Sequence, residues 1–515
     1  MNDILTRLRK YMADNTIDCL LINSTNEFLV EYNELEQNSR YKLTNFSGST
    51  GDVLLTQNNV FLFVDGRYHI QAELETDKNI VTLVKLQTGQ TFLNELIAKI
   101  PDKAILGVFA RKVSQKDIET LAKQVKIKLL DRDPLDDESP EESQTILELP
   151  TSLTGLTTGE KIEKLSIHED EAILLTNLED VSYIFNLRDF SKPYSSKINA
   201  KAVIENDKAQ LFFKNDLDKF EKYITDLNKT FIIDKSTINA YDYNLIKNKA
   251  KEATPVKLMK SQKNSDEIEH YKYAFAQTDK TMLAIREYIN KNENISEYDI
   301  AIQLEKEFKN NGATNLSFNS IVAKDKNSAL AHYSKSSNEE ILKDGSLILI
   351  DCGAYFEGGL ATDITRVFVK GTPTELQKTI YTTVLKAFLL GFNTTEITSG
   401  FDIDFKVREY LKNNAPEGFV FNHGLGHGIG INVHEAPPNL GIGEVAKTQL
   451  KNGMCFTIEP GLYNSNHFGI RLENSCYIED NKIKSFVKMP FEKNLINYSM
   501  LDDNEIKQLD KFGVI

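Results

Sequence analysis

No stretch of this 515-residue chain approaches the roughly 20 consecutive apolar residues needed to cross a bilayer. Its first residues, MNDILTRLRKYMADN, mix acids with bases and lack the hydrophobic run of a secretory signal. Cysteine is scarce. Cys19, Cys352, Cys455 and Cys476 stand at wide, irregular intervals that match neither a disulfide framework nor a zinc knuckle, and this excludes thiolate chemistry as the main activity. Excess positive charge is lacking too: a net charge of −14 argues against a nucleic-acid polyanion as the main partner, since such binding needs clustered Lys and Arg. These absences predict a cytoplasmic protein with no membrane and no nucleic acid among its partners.

What remains has the make-up of an ordinary globular chain, 41% hydrophobic and 26% charged, and it is too long for one core. The stretch DRDPLDDESPEESQTILELPTSLTGLTTG, starting at Asp131, is rich in acids, Ser, Thr and Pro, lacks apolar periodicity and reads as a linker. Before it comes a strand run Cys19-Leu20-Leu21-Ile22, then VLLTQNNVFLFV, a hairpin turning at Gln57-Asn58-Asn59. The same order recurs about 150 residues later: Ala172-Ile173-Leu174-Leu175, a helix LEDVSYIF, and AVIENDKAQLFF turning at Asn206-Asp207-Lys208.

From about Pro255 long helices take over, Asp266 to Ile289 and Ser296 to Lys309, followed by strands; a second such cycle begins near Thr374, with helices through Leu390 and from Phe401 to Lys412. The expected fold class is therefore α/β (α+β), with two related N-terminal α/β domains at 1–132 and 160–256, a linker at 133–159, and a C-terminal domain of duplicated halves at 257–515.

The chemistry lies in acidic pairs. Asp351 ends the strand SLILID and Asp363 opens ITRVFV, with their midpoint on the turn-like Glu357-Gly358-Gly359. Glu459 and Glu473 repeat the arrangement around Asn464-Ser465-Asn466-His467. Directly opposed residues of a hairpin share a face, so each pair is expected to stand side by side. Like charges this close resist joint ionisation unless a cation sits between them, and hard oxygen ligands suit Mn²⁺, Mg²⁺ or a similar ion. Four carboxylates plus an imidazole favour two divalent metals.

Of eight histidines, His423, His427 and His434 crowd into NHGLGHGIGINVHEAPP. The first two mimic the spacing of a helical zinc site, but Gly424 stands where the glutamate would be and the alternating glycines forbid the helix. Such glycines clear one side of an extended segment so that backbone or substrate can approach closely. His332 precedes the first hairpin much as His434 precedes the second.

The ordered set HYS at 332–334, DCGAYFEGGLATDITR at 351–366, HGLGHGIGINVHEAPP at 423–438, TIEPG at 457–461 and GIRLEN at 469–474 resembles the pita-bread metallopeptidases, and within them the three-domain aminopeptidase P (X-prolyl aminopeptidase) group. TNFSGSTGDVLLT with VDGRYHIQAE is similar to the family's first creatinase-like domain, and FNLRDFSKPYSSKINAKAVI to its second. The resemblance implies two metal ions, Mn²⁺ or alternatively Zn²⁺ or Co²⁺, held by Asp351, Asp363, His427, Glu459 and Glu473, with Asp363 and Glu473 bridging. It also implies substrate contacts by His332, His423 and His434, and assembly as a homodimer. Here Asn422 replaces a glycine common in the family, and the loop between Gly430 and Val433 is shorter than in many three-domain relatives.

The implied activity is removal of the N-terminal residue from peptides with proline at position 2 by a hydroxide activated between two metals. Glu459 is the expected general base and proton carrier, and His434 and His332 are expected to hold the carbonyl and its developing negative charge. Arg471, two positions before Glu473 on one strand face, is expected to support a ligating carboxylate, a surface salt bridge being the alternative reading. A prolidase restricted to X-Pro dipeptides shares the metal site and stays open as an alternative, as does a catalytically silent peptide-binding relative.

Overall fold

The structure, a computed structural model, describes residues 2–87, 89–136, 144–206, 208–247, 250–394 and 398–515. Residues 137–143 of the expected linker and Asp207 of the second expected turn lie outside them. The chain divides into two compact units, one of Met1–Gln144, Thr158–Phe185 and Ile198–Val256, the other of Thr145–Thr157, Asn186–Lys197 and Lys257–Ile515.

The first unit holds two sheets. Strands β1 (Cys19–Ile22), β2 (Asp52–Thr56), β3 (Val60–Val64), β4 (Val81–Lys85), β5 (Ile105–Phe109) and β6 (Lys126–Leu130) lie in the order β4-β3-β2-β1-β5-β6. Strands β7 (Glu171–Leu175), β8 (Ala200–Ile204), β9 (Ala209–Phe213), β10 (Thr230–Ile233) and β11 (Ala250–Glu252) lie in the order β9-β8-β7-β10-β11. Each central strand, β1 or β7, pairs antiparallel with one arm of a hairpin and parallel with a later strand. The two sheets thus share one topology, the first adding β4 at its edge. Both expected hairpins form, Val53 facing Leu62 and Ala202 facing Leu211. Residues Cys19 to Ile22 and Ala172 to Leu175 are all buried, which is why these strands read as unbroken apolar runs.

The second unit repeats a helix pair and a small antiparallel sheet. Helices Ser265–Lys291 and Glu297–Asn310 lead to β12 (Ile321–Lys324), β13 (Leu347–Cys352) and β14 (Ile364–Val369), which pair in that order. Helices Glu375–Phe392 and Gly400–Asn414 lead to β15 (Cys455–Ile458), β16 (Gly461–Tyr463), β17 (Gly469–Arg471) and β18 (Asn474–Glu479), with β15 on β18 and β16 on β17. Capping boxes Asn264/Glu267, Ser296/Asp299 and Thr374/Gln377 start three of these helices. Each cap contributes about 1 kcal/mol. Burying Ile380, Val384 and Phe388 against β15, β16 and β17 contributes about 1.5–3 kcal/mol per side chain, so packing decides where the third helix lies.

The sequence reading needs correction at the linker. Leu147–Glu148 forms a short strand with Leu187–Arg188, the helix Thr151–Thr154 follows, and Leu149 is buried. Acids and hydroxyls dominate the composition of that window and mask the apolar run Ile146-Leu147-Glu148-Leu149. Both Thr145–Thr157 and Asn186–Lys197 belong to the second unit.

Candidate metal centre

The second acidic pair stands in the expected register. Ile458 faces Asn474 and Gly461 faces Arg471, so Glu459 faces Glu473 where both strands interrupt their pairing. The first pair is offset: Asp351 faces Thr365, not Asp363. The turn is centred one residue later than expected, because Tyr355 bridges Ala361 and Gly359, at φ 66, closes back on the Phe356 carbonyl. Residues two apart on a strand share a face, so Asp363 becomes a diagonal neighbour of Asp351 on the same side.

Both pairs and His427 converge. Asp363, His427 and Glu473 each present one ligand atom within 4.8 Å of the others. His427 Nε2 lies 3.4 Å from Asp363 Oδ2 and 3.5 Å from Glu459 Oε1. Its Nδ1 is 3.1 Å from the Gly428 carbonyl, which only accepts, so Nδ1 carries a proton and Nε2 is the nitrogen turned toward the carboxylates. Burial, reinforced by Asp351 and Glu459, holds the Asp363 carboxyl well above the usual range; burial, then Asp363, Glu459 and Asp351, do the same for Glu473. Burial also raises Glu459, although His427 and Arg471 pull it back. The Oδ1 atoms of Asp351 and Asp363 are buried without a hydrogen-bond partner among the described residues. A cluster of acids with unanswered oxygens and one oriented imidazole fits divalent cations.

Arg471 is wholly inside. Its Nη2 donates to Asp351 Oδ2, its Nε to Thr365 Oγ1 at 3.2 Å and its Nη1 to Tyr463 Oη at 2.8 Å. Thr365 Oγ1 in turn donates to Glu473 Oε2 at 2.7 Å. One guanidinium therefore braces both acidic pairs. His423 joins this network: Nδ1 faces the Gly424 carbonyl at 2.7 Å, leaving Nε2 to accept from Tyr463 Oη at 2.9 Å.

His434 packs edge-on against His427, ring centroids 4.5 Å apart. The glycines between them serve close approach. A Cβ at Gly426 would stand 2.0 Å from the Thr457 carbonyl, and one at Gly430 would stand 1.9 Å from Glu435 Oε1. At these two positions it is backbone and a buried carboxylate that approach. Glu435 was given no role by sequence reasoning. Its signal was an acid directly after a candidate histidine, in a loop whose neighbouring glycines leave room for it.

His332 is partly exposed, and its segment is tied down on two sides. Ser328 Oγ donates to the Gly469 carbonyl at 2.9 Å, at the start of β17. Glu297, fully buried, accepts from the Lys324 amide, Asn327 Nδ2, Tyr333 Oη and the Ser337 amide. Within the cluster, Glu459 and His427 keep side-chain exposures of 17% and 18% against 6% for Asp363, so they line its open side.

Comparison with known proteins agrees with this architecture. The model of metallopeptidase family M24 matches residues 269–480, and models of the creatinase/prolidase N-terminal domain match 4–138 and 136–267. A probable Xaa-Pro aminopeptidase P of Laccaria bicolor is 27% identical, covering 99% of this chain and 88% of that one. Xaa-Pro aminopeptidase 1 of Dictyostelium discoideum is also 27% identical, covering 98% and 91%. The crystal structure of an X-prolyl aminopeptidase from Caenorhabditis elegans, described as a cytosolic enzyme with a di-nuclear active site, superposes with a TM-score of 0.86 at 22% identity over 96% of this chain and 90% of that one. No helix among the described residues is long and apolar enough to cross a membrane. The chain thus matches metallopeptidase family M24 over residues 269–480, behind two matches to creatinase/prolidase N-terminal domains.

Proposed function

We propose that this chain is an Xaa-Pro aminopeptidase that removes the first residue from peptides with proline second. The observation that carries the reading is the convergence of Asp363, His427 and Glu473, with Asp351 and Glu459 beside them, in a chain aligned end to end with proteins named Xaa-Pro aminopeptidase. Asp351, Asp363, His427, Glu459 and Glu473 would hold two divalent ions, Mn²⁺ by the hardness of the four carboxylates, with Zn²⁺ or Co²⁺ as competitors. Bound there, the ions supply electrophilic polarisation of the scissile carbonyl and a nucleophile ionised near neutrality.

The protein's own groups do the rest. Glu459, on the open side, takes the proton of the attacking water at Oε1 and returns it to the departing proline nitrogen. That nitrogen carries no hydrogen in an X-Pro bond, so it must be protonated to leave as an amine. His434 and His332 hold the carbonyl and its developing charge, and His423 faces the residue beyond the cleaved bond. Arg471 holds the Asp351 carboxylate in orientation. The same reading makes the enzyme a cytoplasmic homodimer; light scattering that returned a single-chain mass would remove the dimer.

Activity on Gly-Pro beside a longer X-Pro peptide, each with Mn²⁺, tests the substrate. Release of the first residue from the longer peptide is expected. Cleavage of the dipeptide alone would make the chain a prolidase, and no cleavage of either would leave a peptide-binding protein.

A further inference from the structure

We propose that Glu435, locked between Lys260 and Lys263, is a positioning residue that fixes His434 against the metal centre. The inference rests on the reading of His434 as a substrate-holding group.

Glu435 is buried, and so are both lysines. Its Oε1 accepts from Lys263 Nζ at 2.9 Å, and its Oε2 lies 3.4 Å from Lys260 Nζ and accepts from the Ile431 amide at 3.0 Å. The loop from Gly428 to Glu435 closes around this carboxylate. Glu435 N–H donates to the Gly428 carbonyl at 2.8 Å, Gly430 N–H to the Asn432 carbonyl at 3.0 Å, and Asn432 Nδ2 to the His434 carbonyl at 3.1 Å. Gly430 passes its carbonyl on to the Ala361 amide at 2.8 Å, two residues from Asp363. The peptide group that follows His434 is thereby held at both its carbonyl and its N–H, and one end of the loop begins next to His427.

A buried ion cluster is a poor way to gain stability, because desolvation offsets most of the attraction and apolar residues of similar volume do as well. What it does provide is a fixed point. Two lysines from one segment pin one carboxylate, and that carboxylate pins the turn that aims an imidazole. Replacing the charge leaves the Ile431 amide facing a weaker acceptor and lets His434 drift relative to His427. A misplacement of about 1 Å costs on the order of 10²-fold in rate.

The test is a double-mutant cycle of Glu435→Gln with His434→Ala, reading kcat, KM and bound metal on an X-Pro tripeptide with the Mn²⁺-loaded enzyme, and amide exchange of residues 428–435 on the metal-free protein. Glu435→Gln is expected to lower kcat about 10²-fold, with KM changed less than about threefold, metal content intact and exchange faster in the loop. In the His434→Ala background the same change is expected to do almost nothing. An undiminished kcat in Glu435→Gln, or an equal loss with and without His434, would overturn the proposal. Full activity in His434→Ala alone would instead remove the role of His434 on which it rests. Should Glu435→Gln fail to fold, Lys263→Met, which leaves Lys260 as counter-ion, carries the same comparison at about tenfold.

Discussion

Replacing Glu297 with alanine should release the segment that carries His332. The carboxylate receives four donors: the Lys324 amide at 2.6 Å, Asn327 Nδ2 at 2.9 Å, Tyr333 Oη at 2.8 Å and the Ser337 amide at 3.0 Å. Burial, followed by the hydrogen bond to Glu297 and then its charge, also keeps the Tyr333 phenol from ionising. A hydrogen bond to a charged acceptor contributes about 1.5–3 kcal/mol, but four such values cannot be added, because water enters the space left behind. Asn327 and Tyr333 are partly exposed and regain solvent partners. The two amides do so less easily, each losing about 1–3 kcal/mol. A total of about 3–5 kcal/mol follows, at the upper edge for one substitution. Hydrogen exchange of peptides covering 324–337 should accelerate about 10²- to 10³-fold, with protection of the β1 to β6 sheet unchanged. Unaltered exchange in 324–337, or equal acceleration in both units, would refute the assignment of Glu297 as the anchor of this segment.

Arg471→Met strips the cation from Asp351 and should lower kcat/KM by about 10²- to 10³-fold, as expected when a buried ion pair loses one partner. Arg471→Lys should recover little, since only the planar fork reaches Asp351, Thr365 and Tyr463 together; steady-state kinetics and metal titration read both. Adding Mn²⁺ to chelator-treated protein should acidify an unbuffered solution, because burial and neighbouring acids favour the protonated forms of Asp363 and Glu473 and a bound cation favours the ionised ones. Metal uptake without proton release would contradict that account. Burial alone would raise the Glu435 carboxyl, but Lys260 and Lys263 outweigh it and hold it at about 2 against an ordinary 4.5. A depressed folded value stabilises above the unfolded one and loses that contribution as pH falls, so the stability gap between the protein and Glu435→Gln should narrow by up to about 3 kcal/mol from pH 4.5 toward 2. Urea unfolding at fixed pH measures it, and a gap that stays constant there would show that Glu435 is not held ionised by the lysines.

Short apolar runs and turn residues carried much of the architecture. The β2/β3 and β8/β9 hairpins and the pairing of Glu459 with Glu473 follow from them, because register there is set locally. The Asp351 hairpin shows the limit. A glycine at positive φ moved the turn by one residue and the pairing by two, and Gly358 and Gly359 offered equal grounds for either placement. Helices with capping boxes were legible to within a residue or two. What stayed hidden was contact between distant residues: the guanidinium of Arg471 reaching Asp351, Glu297 gathering donors from four places, and lysines at 260 and 263 meeting an acid at 435. No local periodicity encodes these, since each depends on the fold that brings its partners together.

The segment from Asn186 to Lys197 has a further consequence for synthesis. Arg188 Nε donates to the Gly358 carbonyl, Ser196 Oγ to the carbonyls of Gly359 and Ile431, and Lys197 Nζ to Asn432 Oδ1, all on chain made much later. Ser196 and Ile431 are 235 residues apart. At about 5–20 residues per second the ribosome takes on the order of 10–50 s to deliver that partner. Throughout that interval an Arg and a Lys destined for burial remain in water on the nascent chain, and the polypeptide cannot be cut at residue 257 without orphaning them for good.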